Sequence, residues 1–375
     1  MIKIAVTGLR GIPATWGGIE HHCENIYTRL AEKGYDITIY ARSHYVPKGM
    51  TQYKGLKIKR LPTLNFKYSD ALFHTFLSIV DILFTNPDIV HIHGIGPCFF
   101  SWMPRIFRPR MPVFFTCHGL DWRRKKWPKW ASILIYLGEM SAILFTHYRI
   151  VVSRDLQNYF KSRYGIETFY IPNGMNPLPY RAPNRIKQWN LSVRNYFLFV
   201  GRLVPEKRVE DIIEAYLLKY RKSRLVIVGD DASPCQYMNK LRMLAKGNDS
   251  IIFTGYQYGN VLQELFSNAR SFVTASEMEG LPLSLLEALS CGTMCITSDI
   301  APHQEVVGNL ECPSFPVGDI QAISDCLNFV ESMAESRLDG FKNACIDLIS
   351  NRFNWEKTST EHDRLYRKSL YCERA

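Results

Sequence analysis

The sequence lacks the features of several common protein classes. Its ten cysteines are scattered and form no paired framework, and the spacing of Cys291 and Cys295 does not fit a zinc knuckle. We therefore expect reduced, mostly buried thiols, as in a cytosolic protein, and no metal site. The opening residues MIKIAVTG pass directly into a strand-like run, without the apolar core of a secretory signal.

Apolar runs long enough to cross a membrane and an excess of acidic residues are also lacking. Two candidate runs, 72–84 and 131–145, are shorter than a spanning helix and contain Asp81 and Glu139. Lys and Arg number 46 against 35 Asp and Glu, which gives a net charge of +11. This charge favours polyanionic partners such as nucleotides, phospholipids or nucleic acids. Because 46% of the residues are apolar and 22% are charged, global disorder is excluded.

The sequence does contain one pattern that occurs twice. In the first half, apolar runs such as IKIAV and DIVHIH alternate with segments of helical period, and a second series begins at YFLFVGRL. Apolar strands that alternate with helices predict parallel sheets covered on both faces. The length of 375 residues also suits two domains. The predicted fold class is therefore α/β, with two Rossmann-like, doubly wound parallel-sheet domains that face a central cleft.

Composition suggests where these domains begin and end. Residues 171–195 contain four prolines and asparagine-containing turns, which is typical of an interdomain linker. We predict a first domain over 1–175, a linker over 176–194 and a second domain over 195–352. A charged amphipathic helix over 353–375 is expected to pack back towards the first domain. Ligands of such sheets bind beyond the carboxyl ends of the strands, so the site is expected in the cleft.

The stretch EMEGLPLSLLEALSCG places two carboxylates around the start of a helix. Pro282 suits the first helical turn, so Glu279 lies in the preceding loop and Glu287 about 7.5 Å inside the helix. Free backbone N–H groups at this end form an anion site suited to phosphate. The residues that would form it are Gly280, Leu281 and Leu283. Since carboxylates accept hydrogen bonds from hydroxyls, a diphosphate with polyols on both sides fits, as in a nucleotide sugar. The alternative is a core helix with two solvated acids.

Three further stretches place basic, glycine and histidine residues at strand ends. FVGRLVPEKRVEDIIEAY has Arg202 after a strand and Lys207 at a helix start, where both could neutralise a diphosphate without a metal. GLRGIPATWGGIEHHCENI is a loop in which Gly17 and Gly18 permit close approach of a phosphate, although it is not GxGxxG. TCHGLDW sets His118 just past a strand. The alternative for the basic pair is surface charge, and the alternative for His118 is a structural histidine.

In combination, these stretches resemble a known family. The order G-G-I-E, H-G, G-R-L-x-x-E-K and E-x7-E resembles retaining glycosyltransferase family 4, of the two-domain GT-B type, over nearly the whole chain. EGLPLSLLE is the most specific part. The resemblance implies that Gly17 and Gly18 approach the donor phosphates. It also implies that His118 contacts the donor sugar near the reacting centre.

The same resemblance implies roles for the basic and acidic residues. Arg202 and Lys207 would bind the diphosphate, Glu279 the sugar hydroxyls and Glu287 the ribose. His118 and Glu279 are thus the expected catalytic residues. The family implies a transferase of class EC 2.4 that retains anomeric configuration. It needs no cofactor and no divalent metal, because the nucleotide sugar is itself the substrate.

Two sequence stretches indicate a subgroup within this family. GLRGIPATWGGIE and HGLDWRRKKWPKW are similar to rhamnosyltransferase-like bacterial enzymes that build surface polysaccharides, such as O-antigen or capsule, on lipid carriers. This similarity implies a dTDP- or UDP-linked donor, with dTDP-L-rhamnose as one candidate, and a polyprenyl-diphosphate-linked glycan acceptor. We therefore expect a cytoplasmic protein that associates peripherally with the inner face of the plasma membrane.

A basic, aromatic region supports the lipid partner on physical grounds. Residues 99–130 contain eight Arg or Lys and one acid, interleaved with Trp and Phe, as suits an anionic membrane surface. The expected membrane and acceptor patch is Trp122, Arg123, Arg124, Lys125, Lys126 and Trp127. A solvated loop or nucleic acid would also fit this composition, but no helix-turn-helix, RNP or zinc pattern occurs, so we expect no nucleic-acid partner. The alternatives are a nucleotide-sugar epimerase on the same fold and, outside enzymes, a nucleic-acid-binding module.

Overall fold

The computed structural model divides the chain into two compact units. The first comprises Met1–Gly174 and Trp355–Ala375, and the second comprises Met175–Asn354. The residues that the structure describes are 1–15, 17–63, 70–124, 127–230 and 236–372. Within these residues, no helix is both long enough and apolar enough to cross a membrane.

Each unit is built on one sheet. The first unit has β1 (Lys3–Thr7), β2 (Asp36–Arg42), β3 (Gln52–Tyr53), β4 (Leu56–Leu61), β5 (Ile89–His93), β6 (Val113–Cys117), β7 (Tyr148–Val151) and β8 (Phe169–Tyr170). The second has β9 (Tyr196–Val200), β10 (Arg224–Val228), β11 (Ile251–Gly255), β12 (Ser271–Thr274), β13 (Cys295–Ser298) and β14 (Ser314–Phe315). Most strand residues are buried, as expected for sheets covered on both faces.

Helices follow most of the strands. In chain order they are α1 (Gly18–Glu32), α2 (Asp70–Thr85), α3 (Trp102–Phe107), α4 (Lys129–Phe145), α5 (Arg154–Tyr164), α6 (Val209–Leu217), α7 (Gln236–Leu244), α8 (Gly259–Asn268), α9 (Leu283–Ser290), α10 (Ala301–Val307), α11 (Ile320–Glu331), α12 (Glu335–Arg352) and α13 (Trp355–Cys372). The last helix, α13, belongs to the first unit. It contacts the α1 region there through Lys33 Nζ and Glu356 Oε1, which are 2.8 Å apart.

Strand order shows that both sheets are doubly wound. The second sheet runs β11-β10-β9-β12-β13-β14, and each neighbouring pair is parallel. The first runs β3-β4-β2-β1-β5-β6-β7-β8, with the same central reversal. The order reverses between β1 and β5 in the first unit and between β9 and β12 in the second. Such switch points are where ligands bind in open α/β sheets.

The first sheet departs from the predicted parallel pattern at one edge. There β3 pairs antiparallel with β4. The two residues between them, Lys54 and Gly55, have φ of 43° and 80°, which suits a tight hairpin turn. The first sheet is therefore mixed, whereas the second is parallel.

Residues 176–194, predicted as a linker, belong to the second unit. Part of this segment forms a short 3₁₀ helix, Arg185–Trp189. The Glu264 carboxylate accepts hydrogen bonds from the backbone N–H groups at its start, including that of Arg185 at 2.7 Å. Turn-rich composition correctly marks irregular backbone, but it does not reveal that Glu264 anchors this backbone.

Candidate active site

In the second unit, the two switch-point strands lead into loops that carry predicted site residues. The loop after β9 contains Arg202 and Lys207, and the loop after β12 contains Glu279. A backbone hydrogen bond connects the two loops, in which the N–H of Glu277 donates to the carbonyl of Glu206 at 3.0 Å. Residues far apart in sequence therefore meet where doubly wound sheets bind ligands.

Lys207 and Glu279 form an ion pair between these loops. Their side chains are only 15% and 12% exposed, respectively, so solvent screens the pair weakly. The Ser276 hydroxyl also donates to Glu279 Oε1 at 2.9 Å. Burial raises the pKa of Glu279, but its neighbours, above all the Lys207 ammonium, outweigh burial and hold the pKa below its ordinary value. Glu279 is therefore ionised at neutral pH and can accept hydrogen bonds from ligand hydroxyls.

Ser298 and His303 form the next layer of hydrogen bonds around Ser276, whose hydroxyl donates to Glu279. Ser298 Oγ donates to the carbonyl of Ser276 at 2.7 Å and lies 2.9 Å from His303 Nδ1. Sequence reasoning missed these residues. Ser276 stands three positions before Glu279, which is a weak signal, whereas Ser298 ends β13 and His303 lies in α10.

The start of α9 is open to an anion. Pro282 occupies its N-cap with extended backbone, φ −74° and ψ 113°, and no side chain of the described residues caps it. The prediction that Pro282 lies in the first helical turn was thus wrong by one position, since the helix begins at Leu283. Gly280 and Leu281, just before it, are buried. The first N–H groups of a helix have no intrahelical partner, so they can bind phosphate here.

Glu287 is the fifth residue of α9. It is half-buried, and burial raises the pKa of its carboxyl to about 7. Its side chain has no hydrogen bond or ion pair with the described part of the chain. A ligand hydroxyl that donates to this carboxylate would stabilise its charged form.

In the first unit, the glycine-rich loop after β1 is held by an acid of α1. The N–H of Arg10 donates to Glu20 Oε1 at 3.0 Å. Gly17 has φ of +105°, and a Cβ there would lie 2.1 Å from Glu20 Oε2. Gly18 begins the helix. The Glu20 carboxylate therefore lies close to the backbone at Gly17, where the sequence predicts that a phosphate approaches.

His118 lies just past β6 within a histidine cluster. Its Nε2 is 3.0 Å from His93 Nδ1, and its ring meets that of His22 edge-on, with centroids 4.7 Å apart. Burial lowers the pKa of His118 to about 3. The imidazole is therefore neutral at physiological pH and acts through hydrogen bonds rather than through charge.

One nitrogen from each of His22, His93 and His118 lies within 4.8 Å of the other two. Such a group could hold a metal ion, although the sequence predicts none. Hydrogen bonds within the protein already engage these rings, because His22 Nδ1 is 2.8 Å from Asn173 Oδ1 and His93 is bonded to His118. Metal-independent chemistry stays a prediction, which metal removal tests.

The predicted membrane patch is partly turned inward. Trp122 is half-buried, and its Nε1–H donates to the buried carboxylate of Glu139 at 2.8 Å. Arg123 is exposed and lies 5.1 Å from the centroid of the Trp122 ring. Trp122 therefore anchors the loop to α4 instead of standing free in solvent.

Arg124 and Trp127, two further residues of the predicted patch, are less exposed than their composition suggests. Arg124 pairs with the neighbouring Asp121 at 3.0 Å, and Trp127 is half-buried. Lys125 and Lys126 lie outside the described residues. Of the four patch residues that the structure describes, Arg123 is the one that is exposed.

Two doubly wound α/β units are the architecture of the GT-B fold. Family models agree: residues 16–177 match the Glycosyltransferase Family 4 model and residues 183–344 match the Glycosyl transferases group 1 model. The chain belongs to glycosyltransferase family 4, and it is a glycosyltransferase with the GT-B fold.

Individual relatives are more distant. O-antigen chain mannosyltransferase B of Escherichia coli is 26% identical over 186 residues, and the alignment spans only 48% of each chain. UDP-Gal:alpha-D-GlcNAc-diphosphoundecaprenol alpha-1,3-galactosyltransferase of Escherichia coli is 27% identical over 298 residues, 74% of this chain and 75% of the relative. The structure of Anabaena Alr3699/HepE in complex with UDP-glucose has a TM-score of 0.81 at 15% identity, covering 98% of this chain and 100% of the other. At that identity the likeness supports the shared fold alone.

Proposed function

We propose that the protein transfers a sugar from a dTDP- or UDP-linked donor, with dTDP-L-rhamnose as the first candidate, to a polyprenyl-diphosphate-linked glycan. Configuration is retained, and the product enters a bacterial surface polysaccharide. The observation that carries the proposal is the Lys207–Glu279 pair, which stands just before the uncapped helix α9. A cation and a helix N-terminus suit a diphosphate, and an ionised carboxylate suits sugar hydroxyls.

In this proposal the second unit holds the donor. Glu279 accepts hydrogen bonds from sugar hydroxyls, and Glu287, which has no described protein partner, accepts them from the ribose. Arg202 and Lys207 neutralise the diphosphate. The family resemblance adds Gly17, Gly18 and His118 from the first unit, and variants at these positions test each unit separately.

Retention follows most simply from a front-side displacement. Lys207 and Ser276 already engage the Glu279 carboxylate, which argues against its attack on the sugar. The glycosidic C–O bond breaks first, and its electron pair leaves with the diphosphate, whose charge the basic residues and α9 stabilise. The acceptor hydroxyl then bonds to the anomeric carbon from the same face, and its proton passes to the departing phosphate oxygen.

The names of the relatives support the substrate classes. One is named for an O-antigen chain. The other is named for a UDP-linked galactose and a diphosphoundecaprenol-linked acceptor. The first name fits a role in surface polysaccharide synthesis, and the second fits a diphosphate-linked donor combined with a lipid-linked acceptor.

A donor screen tests this proposal. Nucleoside diphosphate release is measured for purified nucleotide sugars with a polyprenyl-diphosphate-linked acceptor present, and NMR of the product reports its anomeric configuration. We expect release from a dTDP- or UDP-sugar that depends on the acceptor, with the configuration retained. An altered sugar formed without an acceptor would instead support an epimerase, and inverted product would exclude the front-side route.

An apolar stripe on α4 supports association with a membrane surface. Trp130, Ile133, Leu137 and Leu144 are 52%, 59%, 44% and 66% exposed, and they lie within about 60° of the helix circumference. Exposed Ile106 and Phe107 of α3 extend the apolar surface, because α3 contacts α4.

Exposed basic residues occur on the same two helices and in the loops next to them. Arg105, Arg110, Arg123 and Lys129 are exposed on the same helices and their connecting loops. An apolar stripe flanked by cations suits the surface of an anionic bilayer. We therefore propose that the membrane contact involves α3 and α4, and that Arg123 of the predicted patch contributes to it.

Vesicle flotation tests this contact. The protein should float with vesicles that contain phosphatidylglycerol and remain behind with pure phosphatidylcholine. Ile133→Ser combined with Leu137→Ser should abolish flotation, whereas Leu218→Ser, which changes a leucine that is 52% exposed in the second unit, should not. Unchanged flotation of the double variant would exclude the α4 stripe, and dimerisation lost in that variant would identify a second copy as the partner.

A further inference from the structure

A chain of hydrogen bonds runs through the interior of the first unit. At its buried end, Thr116 Oγ1 lies 2.7 Å from His91 Nε2. His91 Nδ1 lies 2.5 Å from the hydroxyl of Tyr366, on α13, and 3.0 Å from that of Tyr27, on α1. Four different elements therefore meet at one imidazole.

The chain continues to the candidate active site. The Tyr27 hydroxyl is 2.6 Å from His93 Nε2, and His93 Nδ1 is 3.0 Å from His118 Nε2. The His93 and His118 ring centroids are 5.3 Å apart and the rings are tilted by only 28°, as expected for two imidazoles joined end to end. The Nδ1 of His118 has no hydrogen-bond partner among the residues described.

The number of protons in this chain is limited. Each neutral imidazole carries one N–H, and each phenol carries one O–H. Burial keeps the pKa of His91 and of His93 well below the ordinary value, so both rings are neutral. Because buried donors require acceptors, the direction of one bond fixes the direction of the next.

One arrangement satisfies every contact of the chain except that between the Tyr27 hydroxyl and His91 Nδ1 at 3.0 Å. Tyr366 donates to His91 Nδ1, so the His91 proton is on Nε2 and is donated to Thr116. Tyr27 then donates to His93 Nε2, its closest acceptor at 2.6 Å. The His93 proton is consequently on Nδ1, where it faces His118.

The opposite direction leaves a phenol proton without a good acceptor. If His118 donated to His93, then His93 Nε2–H would donate to Tyr27, and the Tyr27 proton would need His91 Nδ1. That nitrogen is already the acceptor for Tyr366, whose other neighbour in the chain is the Tyr27 oxygen at 3.5 Å. Such a distance is too long for a normal O–H···O bond, and an unsatisfied buried donor is unfavourable.

We infer that Tyr27 and His93 hold His118 in the tautomer with its proton on Nδ1, so that His118 acts as a hydrogen-bond donor to a substrate oxygen and not as a general base. Its Nε2 lone pair is engaged by His93, and its free Nδ1–H points to an acceptor such as a sugar hydroxyl oxygen. Tyr27 and His93 are positioning residues in this account, which rests on the proposed sugar-transfer function for its substrate.

Nitrogen-15 NMR of histidine-labelled, full-length protein tests the tautomer directly. At pH 7.5, long-range proton–nitrogen correlations should show His118 with a protonated Nδ1 and an unprotonated Nε2, and comparison with His118→Gln assigns the signals. A His118 proton on Nε2 would overturn the inference. The measurement needs no substrate, so its failure is distinguishable from a failure of the proposed function.

Variants show which residues set the tautomer. In Tyr27→Phe the second tautomer of His118 should become populated, since the phenol that orients His93 is gone. Tyr35→Phe is the matched control, because its hydroxyl donates at 2.5 Å to Asp363 of α13, outside the chain of bonds. Unchanged His118 signals in Tyr27→Phe would exclude its positioning role.

Kinetics add a readout that a purely structural role would not give. Tyr27→Phe should lower kcat about three- to tenfold, the size of one neutral hydrogen bond, while the donor KM stays within twofold. His93→Asn, whose amide can supply an N–H, should retain more activity than His93→Leu. Equal activity of those two variants at equal unfolding midpoints would count against an orienting N–H.

Discussion

The polar groups in the interiors of the two units differ in charge. In the first unit, burial keeps His91 and His93 neutral, and the Tyr27 hydroxyl lies within hydrogen-bond distance of both rings. In the second, the central feature is an ion pair, Lys207 with Glu279. A neutral network can orient a proton without attracting an anion, whereas a charged pair beside a helix N-terminus can hold a diphosphate. The division of charge thus matches a division of labour between orientation and donor binding.

The comparison also predicts different weaknesses. Neutral buried imidazoles lower the stability of the folded state in acid, because the unfolded chain binds protons that the folded chain does not bind. A partly buried ion pair is instead vulnerable to the loss of one partner, which leaves the other charge uncompensated. The experiments below exploit this contrast.

The largest expected effect comes from breaking the charged pair. Lys207→Ala should lower kcat/KM about 100- to 1000-fold, because it removes a cation from the leaving group and leaves Glu279 without its partner. Nucleoside diphosphate release measures the loss. Lys219→Ala is the control, since Lys219 and Asp325 form an exposed pair, 47% and 58% accessible, and should change activity by less than twofold. A loss below tenfold in Lys207→Ala would remove the pair from the mechanism.

Acid should weaken the first unit before the second. Of the ten histidines, only His303 lies in the second unit. Burial lowers the pKa of His118 to about 3 and that of His362 to about 4. Stability from such groups is complete above the unfolded pKa near 6.5 and is lost as the pH falls towards the folded value, by roughly 1 kcal/mol for each at pH 5.5.

Urea unfolding at pH 7.5 and 5.5 measures this loss. Brief proteolysis at intermediate urea then identifies which unit opens, and we expect fragments of the first unit at pH 5.5. Equal stability at both pH values, or prior cleavage of the second unit, would break the contrast.

Glu287 should make donor binding pH-dependent. The raised pKa of about 7 means that the carboxyl ionises as the pH rises from 6 to 8, and only the ionised form is a full acceptor for ribose hydroxyls. Affinity for a nucleotide sugar, whose diphosphate has a fixed charge in this range, should therefore rise about three- to tenfold. Calorimetry with Glu287→Gln should show weaker binding without this slope. The same slope in the variant would assign the titration to another group.

The same carboxyl has a consequence for stability. A carboxyl with a raised folded pKa stabilises the fold below its unfolded value near 4.5, and this contribution is lost as the pH rises through about 7. Glu287→Gln should therefore be less sensitive to pH between 5 and 8 than the parent protein.

The residues of the proposed donor site in the second unit lie within two short stretches of sequence, so sequence patterns alone could suggest them. Glu279 and Glu287 lie within nine residues of each other, in the loop before α9 and in α9 itself. Strand–helix alternation places Arg202 and Lys207 at the end of the neighbouring strand. The ion pair itself was not predicted, since either partner alone is typical of surface charge. Local pattern therefore gave the residues, and only the fold gave their pairing.

The first unit's network could not be predicted in the same way. His91 and Tyr366 are separated by 275 positions, and Tyr27 and His93 by 66, so no periodicity connects them. The spacing of His91 and His93 does place both on one strand face, where their rings stack 4.3 Å apart. Gly17 is a further example, because the sequence does not reveal that the Glu20 carboxylate lies beside this glycine.

The smallest expected effect is that of metal removal. Transfer should be unchanged after dialysis against EDTA, because the charge of the diphosphate is met by Arg202, Lys207 and the start of α9. Metal analysis of the purified protein, together with a zinc titration of His22→Gln, serves as the control for the histidine group. Activity lost on dialysis and restored by a divalent ion would contradict the metal-independent route.

Calorimetric titration of the full-length protein with UDP, dTDP, GDP and their sugars tests the central claim most directly. The account predicts single-site binding of at least one uridine or thymidine diphosphate compound, which is abolished in Lys207→Ala and retained in Lys219→Ala. Folded protein that binds none of these compounds would contradict it.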